Sequence, residues 1–64
     1  MKIVTQYHYE KSWKATSEED LLRIIKEEVG EVGAEGTLSY IKESCAKGKT
    51  ITVGACRFKK ADEN

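Results

Sequence analysis

The sequence predicts an α+β fold: a single compact β-α-α-β domain whose small antiparallel sheet is covered on one face by two helices. Near both ends of the 64-residue chain, apolar and polar residues alternate with the period of two that is typical of strands. Between these ends, two segments repeat apolar residues at helical spacing. With so few elements, both helices must pack on one sheet face. We place the domain at residues 1–60 and a polar tail at 61–64.

The first strand segment covers residues 2–15, and its odd positions are expected to form the buried face: Ile3, Thr5, Tyr7, Tyr9, Lys11, Trp13 and Ala15. Its 14 residues exceed the usual strand length of about five or six. The segment is either one long strand with a bulge or two strands that break near residues 10–12. In the second case an extra short strand lies around Ser12 to Ala15. No Gly or Asn stands at the break, which disfavours a tight hairpin.

The two helices are predicted from their caps. The first begins after Ser17, a good N-cap that is followed by three acidic residues, which the positive end of the helix dipole favours. It ends at Gly30, which can adopt the left-handed conformation common at helix ends. We expect residues 31–36 to form a connector or a loose extra turn. The second helix is expected to begin near Thr37 and to end at Gly48.

The last alternating segment, residues 49–58, predicts a further strand. The alternation divides its side chains between two faces, with Ile51, Val53 and Ala55 on one and Thr52, Cys56 and Phe58 on the other. Gly54 within this segment predicts a bulge or a close approach of another part of the backbone.

Acidic and basic residues are equal in number, at 11 each, but they are unevenly distributed. Residues 18–35 carry seven acidic and two basic residues, whereas residues 36–60 carry one acidic and six basic residues. The two regions could attract each other within one molecule or between copies. The simpler interpretation is a solvated surface of mixed sign. No apolar run exceeds two residues and no secretion signal is evident, so we predict a cytoplasmic protein without a membrane span.

The cysteines and the histidine give little scope for catalysis or metal binding. Cys45 and Cys56 are too few for a disulfide framework and are predicted to be free thiols that pack as small apolar residues. With His8 they supply at most three metal ligands and no CxxC spacing, so we predict no metal and no cofactor. A His8–Cys56 pair across adjacent strands would begin a nucleophile–base arrangement. We attribute their placement to chance and predict that the protein is not an enzyme.

A glycine pattern, Gly30-Glu31-Val32-Gly33, lies between the two predicted helices, and a strand at residues 51–53 follows. This order resembles the minimal core of KH domains, in which a GxxG loop clamps single-stranded nucleic acid. The resemblance covers about half of the chain and implies nucleic-acid binding at the glycine pair. Glu31 stands where that family typically has a basic or small residue, and a third helix is missing. We therefore do not assign the chain to the family.

The function predicted from the sequence is non-catalytic binding by a small homo-oligomer, in the simplest case a dimer. One copy of so short a chain has a marginal core, which association with a second copy would complete. The contact residues are expected among the aromatic and basic side chains, namely Tyr9, Trp13, Arg57, Phe58 and Lys59.

The expected partner is a protein. Small single-domain chains of this type are common among accessory proteins of phages and mobile elements, including inhibitors of host proteins. By analogy with them, we expect such a role here. Two alternatives stay open. One is binding of single-stranded nucleic acid by the glycine pair or the sheet. The other is sequestration of a small ligand or nucleotide at a subunit interface.

Overall fold

The computed structural model describes residues 2–61 and contains, in chain order, β1 (Ile3–Tyr7), β2 (Lys14–Thr16), α1 (Glu18–Val29), α2 (Glu31–Ala46), β3 (Ile51–Val53) and β4 (Cys56–Lys60). The strands form one antiparallel sheet in the order β2-β1-β4-β3, and both helices pack on one of its faces. The predicted α+β class is confirmed. Of the polar tail predicted at 61–64, only Ala61 is described, and the rest lies outside the described residues.

Residues 2–15 form two strands, β1 and β2, rather than one long strand with a bulge. The Tyr7 carbonyl accepts a 2.9 Å hydrogen bond from the Glu10 N–H, so the chain turns directly after β1. The two strands then pair antiparallel, with Val4 opposite Ala15. The extra short strand expected around Ser12 to Ala15 is therefore present, beginning at Lys14.

The register of β1 and β2 decides which positions face the helices. Paired residues on neighbouring strands share a face, and here each odd position of one strand pairs with an even position of the other. Ile3 and Thr5 are buried under the helices, whereas Trp13 and Ala15 belong to the opposite face. The prediction that all odd positions of 2–15 share one buried face is wrong beyond the turn, because the turn reverses the alternation.

Residues 49–58, predicted as one strand, form the hairpin of β3 and β4. Gly54 has a φ of 57° and Ala55 has a negative φ, the pattern of a two-residue type II′ turn. The turn again reverses the alternation, so the predicted division of side chains between the two faces is wrong. The residues that share the helix-covered face are Ile51, Val53, Cys56 and Phe58.

The ends of α1 are those predicted from its caps. The Ser17 Oγ accepts a 3.2 Å hydrogen bond from the Asp20 N–H and satisfies one of the free donors of the first turn. Gly30 ends the helix as predicted, and its N–H donates to the Lys26 carbonyl at 2.9 Å. Its φ of 85° is positive, but its ψ of 166° is extended, so the expected left-handed helical conformation is wrong.

The start of α2 differs from the prediction. The helix begins at Glu31, directly after the glycine that ends α1, so residues 31–36 are helical and the start expected near Thr37 is wrong. Ala34, within this first part of α2, is fully buried in the core. Its tertiary packing outweighs the low intrinsic helix propensity of the glycines around it.

The core lies between the helices and the inner sheet face, the face directed toward them. Its members come from both layers: Ile3, Leu21, Ile24, Ile25, Ala34, Ile41, Cys45, Cys56 and Phe58. Thr5 is buried on the same sheet face, and its hydroxyl shares a 2.7 Å hydrogen bond with that of Thr16. No buried side-chain nitrogen or oxygen within residues 2–61 lacks a hydrogen-bond partner. A single copy thus has a core of its own.

Candidate binding site on the outer sheet face

The outer sheet face is the side of the sheet directed away from the helices. Strand alternation and the registers place seven side chains on it: Val4, Gln6, Trp13, Ala15, Thr52, Arg57 and Lys59. Neither helix of the described chain covers this face. In a two-layer domain, an uncovered sheet face is available to a partner.

Trp13 lies over the outer sheet face beside two cations of β4. The Lys59 Nζ is 4.4 Å from the centre of the Trp13 ring, and the Arg57 Cζ is 5.2 Å from it. Both distances are within the range of about 6 Å over which cation–π attraction is significant. Trp13 is half-buried, so its ring is held against the sheet while part of it still meets solvent.

A polar contact fixes Arg57 on the same face. Its Nη2 donates to the Oε1 of Gln6, the residue paired with it across β1 and β4. Gln6 is only 6% exposed, although it belongs to the outer sheet face. Arg57 therefore contacts a buried amide as well as the indole ring of Trp13, and these two contacts set the position of its guanidinium.

Glu10 ties together the two ends of the loop that leads to Trp13. One of its carboxylate oxygens accepts a 2.9 Å hydrogen bond from the Tyr7 N–H, and the other lies 3.3 Å from the Lys14 Nζ. The hydrogen bond from Tyr7 and, after it, the bond and charge of Lys14 hold the pKa of Glu10 below its ordinary value of 4.5. The ionised carboxylate thus joins the end of β1 to the start of β2, next to Trp13.

The two layers of the fold carry opposite charge. α1 and α2 together hold eight acidic and three basic residues. None of the seven residues of the outer sheet face is acidic, and two of them are basic. The charges of the chain therefore sum to zero but are separated in space, with an acidic helix layer and a basic sheet face on opposite sides of the molecule.

Three of the five predicted contact residues meet on the outer sheet face: Trp13, Arg57 and Lys59. Tyr9 lies elsewhere, in the loop after β1, where it is 72% exposed and stacks on Tyr7 with ring centres 5.5 Å apart. Phe58 is fully buried in the core and does not reach the surface of this chain. Gln6 is a site residue that the sequence pattern does not indicate, since only the β1–β4 register brings it to Arg57.

His8 and Cys56 lie on different sides of the sheet. Cys56 is fully buried on the inner sheet face, whereas His8 is exposed and its backbone N–H donates to the Ala55 carbonyl. Burial raises the pKa of the Cys56 thiol and that of Cys45, so both thiols disfavour the reactive thiolate. Within residues 2–61, no group of three or more His, Cys, Asp or Glu side chains could hold a metal ion.

The GxxG pattern does not form a loop. Gly30 is the joint between the two helices, and Gly33 lies inside α2. The clamp that the resemblance to KH domains implies would need a loop at this point, so that expectation is wrong. The alternative of nucleic-acid binding therefore depends on the sheet.

Comparison with known proteins returned no match: no family model, no curated protein and no solved structure is significantly similar to the chain. In the part of the chain that the structure describes, neither helix combines the length and the apolar character needed to cross a bilayer.

Proposed function

We propose that the chain is a non-catalytic binding protein that docks on a negatively charged macromolecule through its outer sheet face. The observation that carries the proposal is the grouping of Trp13, Arg57 and Lys59 on a face that neither helix covers. Trp and Arg are among the side chains that most often dominate the binding energy at protein–protein interfaces. The cations would in addition steer an acidic partner toward this face.

The cations of the outer sheet face keep their charge available. Ion pairs within residues 2–61 lie elsewhere: Glu10–Lys14, Asp20–Arg23 and Glu18–Lys42. Arg57 is exposed and Lys59 is half-buried, so both can interact with a partner's negative charge. The acidic residues of α1 and α2 are on the far side of the sheet, where distance and salt screening reduce their repulsion of such a partner.

The finer predictions from the sequence stay predictions. They describe a cytoplasmic inhibitor of a host protein from a phage or mobile element, and a small ligand at a subunit interface as an alternative. The outer sheet face supports binding of a negatively charged partner in general.

A heparin column tests the proposal with a polyanion of no particular sequence. Lys59→Glu places a carboxylate beside Trp13, so the variant should elute at a lower salt concentration than the wild type. Lys26→Glu makes the same charge change on an exposed position of α1 and is the matched control, which should elute close to the wild type. Circular dichroism confirms that both variants are folded.

Two results would contradict the proposal. If both variants shifted equally, heparin would respond to net charge and not to the outer sheet face. If the wild-type protein passed through the column at low salt, the face would have no useful affinity for a polyanion.

A further inference from the structure

We infer that the negatively charged partner is single-stranded nucleic acid, bound across the outer sheet face. The inference rests on the proposed function and adds to it the chemical class of the partner. Its basis is that a half-buried tryptophan and two cations within 5.2 Å of its ring centre lie together on a sheet face that neither helix covers.

The centre of the outer sheet face is cationic and polar. The central strands β1 and β4 bring Gln6, Arg57 and Lys59 there, with Val4 as the apolar residue among them. Protein–protein interfaces also use Trp and Arg, but their cores are more apolar and are depleted in Lys, while their rims are polar. Interfaces with nucleic acid are more polar and more positively charged. The face therefore suits a phosphate backbone better than the surface of a protein.

Trp13 offers a platform on which a base can stack. Stacking of bases on aromatic rings, together with a cationic groove that follows the backbone, is how proteins bind single strands without strong sequence preference. Alternate residues of a strand lie roughly 7 Å apart along it. Arg57 and Lys59 alternate along β4 in this way and can contact separate phosphates while the ring contacts the base between them.

The polar surface continues beyond these residues in both directions. The Ala61 N–H donates to the Lys2 carbonyl at 2.9 Å, which extends the β1–β4 ladder by one pair. By alternation, Lys2 lies on the same side of the sheet, just beyond the seven residues of the outer sheet face. At the other end of the ladder, an open cleft is lined by His8, Thr52, Gly54, Ala55 and Arg57. The six residue steps from Lys2 to His8 cover roughly 20 Å, a length that suits a short single strand.

The fold favours a single strand over a duplex. Helices are the elements that most commonly enter the major groove of DNA, and both helices here lie behind the sheet and are acidic. The flat faces of bases are accessible to an indole ring only when the bases are unpaired. A duplex would offer Arg57 and Lys59 its phosphates but would leave Trp13 without a stacking partner.

Titration with labelled oligonucleotides tests the inference. The probes are a single-stranded DNA and an RNA of about 12 nucleotides, a duplex of the same sequence, and poly-glutamate as a polyanion without bases. Binding is followed by fluorescence anisotropy of the label and by the emission of Trp13, the single tryptophan of the chain. We expect the single strands to bind more tightly than the duplex and poly-glutamate, and to quench Trp13.

Variants separate stacking from charge. Removing the aromatic ring by Trp13→Leu should weaken single-strand binding by about tenfold, and Trp13→Tyr should keep part of the lost affinity because a ring is retained.

Lys59→Ala should reduce the steepness of log affinity against log salt by about 0.7, since one phosphate contact is lost. Lys26→Ala on α1 is the matched control and should bind like the wild type. Lys59→Ala keeps the test valid if Trp13→Leu fails to fold.

The outcomes distinguish this inference from the proposed function. Poly-glutamate or duplex binding as tight as single-strand binding, without dependence on Trp13, would overturn the inference and leave the proposed function standing. Equal loss of single-strand binding in Lys59→Ala and Lys26→Ala would also overturn it. If neither oligonucleotides nor heparin bound at low salt, the result would contradict both the inference and the proposed function.

Discussion

Phe58 and Lys59 are neighbours on β4 and belong to different parts of the molecule. Successive side chains of a strand point to opposite faces of the sheet. Phe58 is therefore fully buried against the helices, while Lys59 lies 4.4 Å from the centre of the Trp13 ring on the outer sheet face. We assign Phe58 to stability and Lys59 to binding.

Replacement of Phe58 tests this division. Phe58→Ala removes a fully buried aromatic side chain, a change that typically costs about 3–5 kcal/mol. A core of this size rarely supplies more than about 3–5 kcal/mol in total. The variant should therefore be largely unfolded at 25 °C by circular dichroism, whereas Lys59→Ala should stay folded. A Phe58→Ala protein with the melting temperature of the wild type would contradict the assignment.

Glu10 makes the stability dependent on pH with a defined sign. Its pKa is lower in the folded than in the unfolded chain, because Tyr7 and Lys14 stabilise the ionised carboxylate. The stabilisation is complete above the unfolded pKa and is lost as the pH falls through the lower folded pKa.

We expect the urea concentration at the unfolding midpoint of the wild type to fall when the pH is lowered from neutral to well below 4.5, the ordinary pKa of Glu10. Glu10→Gln cannot ionise, so the fall should be smaller in this variant. Glu35→Gln, an exposed change on α2, is the control and should behave like the wild type. The same pH dependence in the wild type and in Glu10→Gln would contradict the role of the carboxylate.

At the scale of elements, local chemistry predicts helix ends better than strand faces. Ser17 and Gly30 define the ends of α1 through hydrogen bonds and a positive φ that depend on a few adjacent residues. The faces of β2 and β4 depend on turns that reverse the alternation, and one of these turns, after Tyr7, has neither Gly nor Asn to mark it. The start of α2 depends on the burial of Ala34, a tertiary contact that periodicity does not show.

The glycines of α2 provide a test at the same scale. A Cβ added at Gly36 would meet nothing within 4 Å, and its φ is not positive. Gly36→Ala should therefore stabilise the protein by about 0.5–1 kcal/mol, as measured by urea denaturation. Gly30→Ala, at the joint just before α2, has the same open surroundings but a φ of 85° and a ψ of 166°, a backbone region that essentially only glycine occupies, so it should destabilise by about 1–3 kcal/mol. If Gly36→Ala destabilised the protein, this face of α2 would be in contact with something in solution.

At the scale of the whole molecule, the sequence identifies the residue types of the site but does not show that they lie together on one face. Trp13, Arg57 and Lys59 are predictable as contact residues because aromatic and basic side chains are common at interfaces. Their meeting on one face follows from two antiparallel registers, which bring together residues 44 or more positions apart. The opposite charges of the two layers follow from the same registers.

Self-association, expected from the sequence, stays a prediction. A single copy has its own core, but α2 exposes Tyr40 (58%) and Val32 (104%), and the acidic helices of one copy can attract the basic sheet of another. We expect light scattering at low salt to give a mass above 7.2 kDa that falls toward 7.2 kDa as salt is added. A constant 7.2 kDa at all protein concentrations would contradict self-association.

The outer sheet face as the binding surface is tested most directly by NMR. The ¹⁵N-labelled protein is titrated with an unlabelled single strand of about 12 nucleotides at a salt concentration at which light scattering shows a monomer, so that no second copy occupies the face. We predict that the indole N–H of Trp13 and the backbone amides of Arg57 and Lys59 shift progressively, while the amides of α1 and α2 stay in place. Shifts concentrated on the helices, or no shifts at saturating oligonucleotide, would contradict the account.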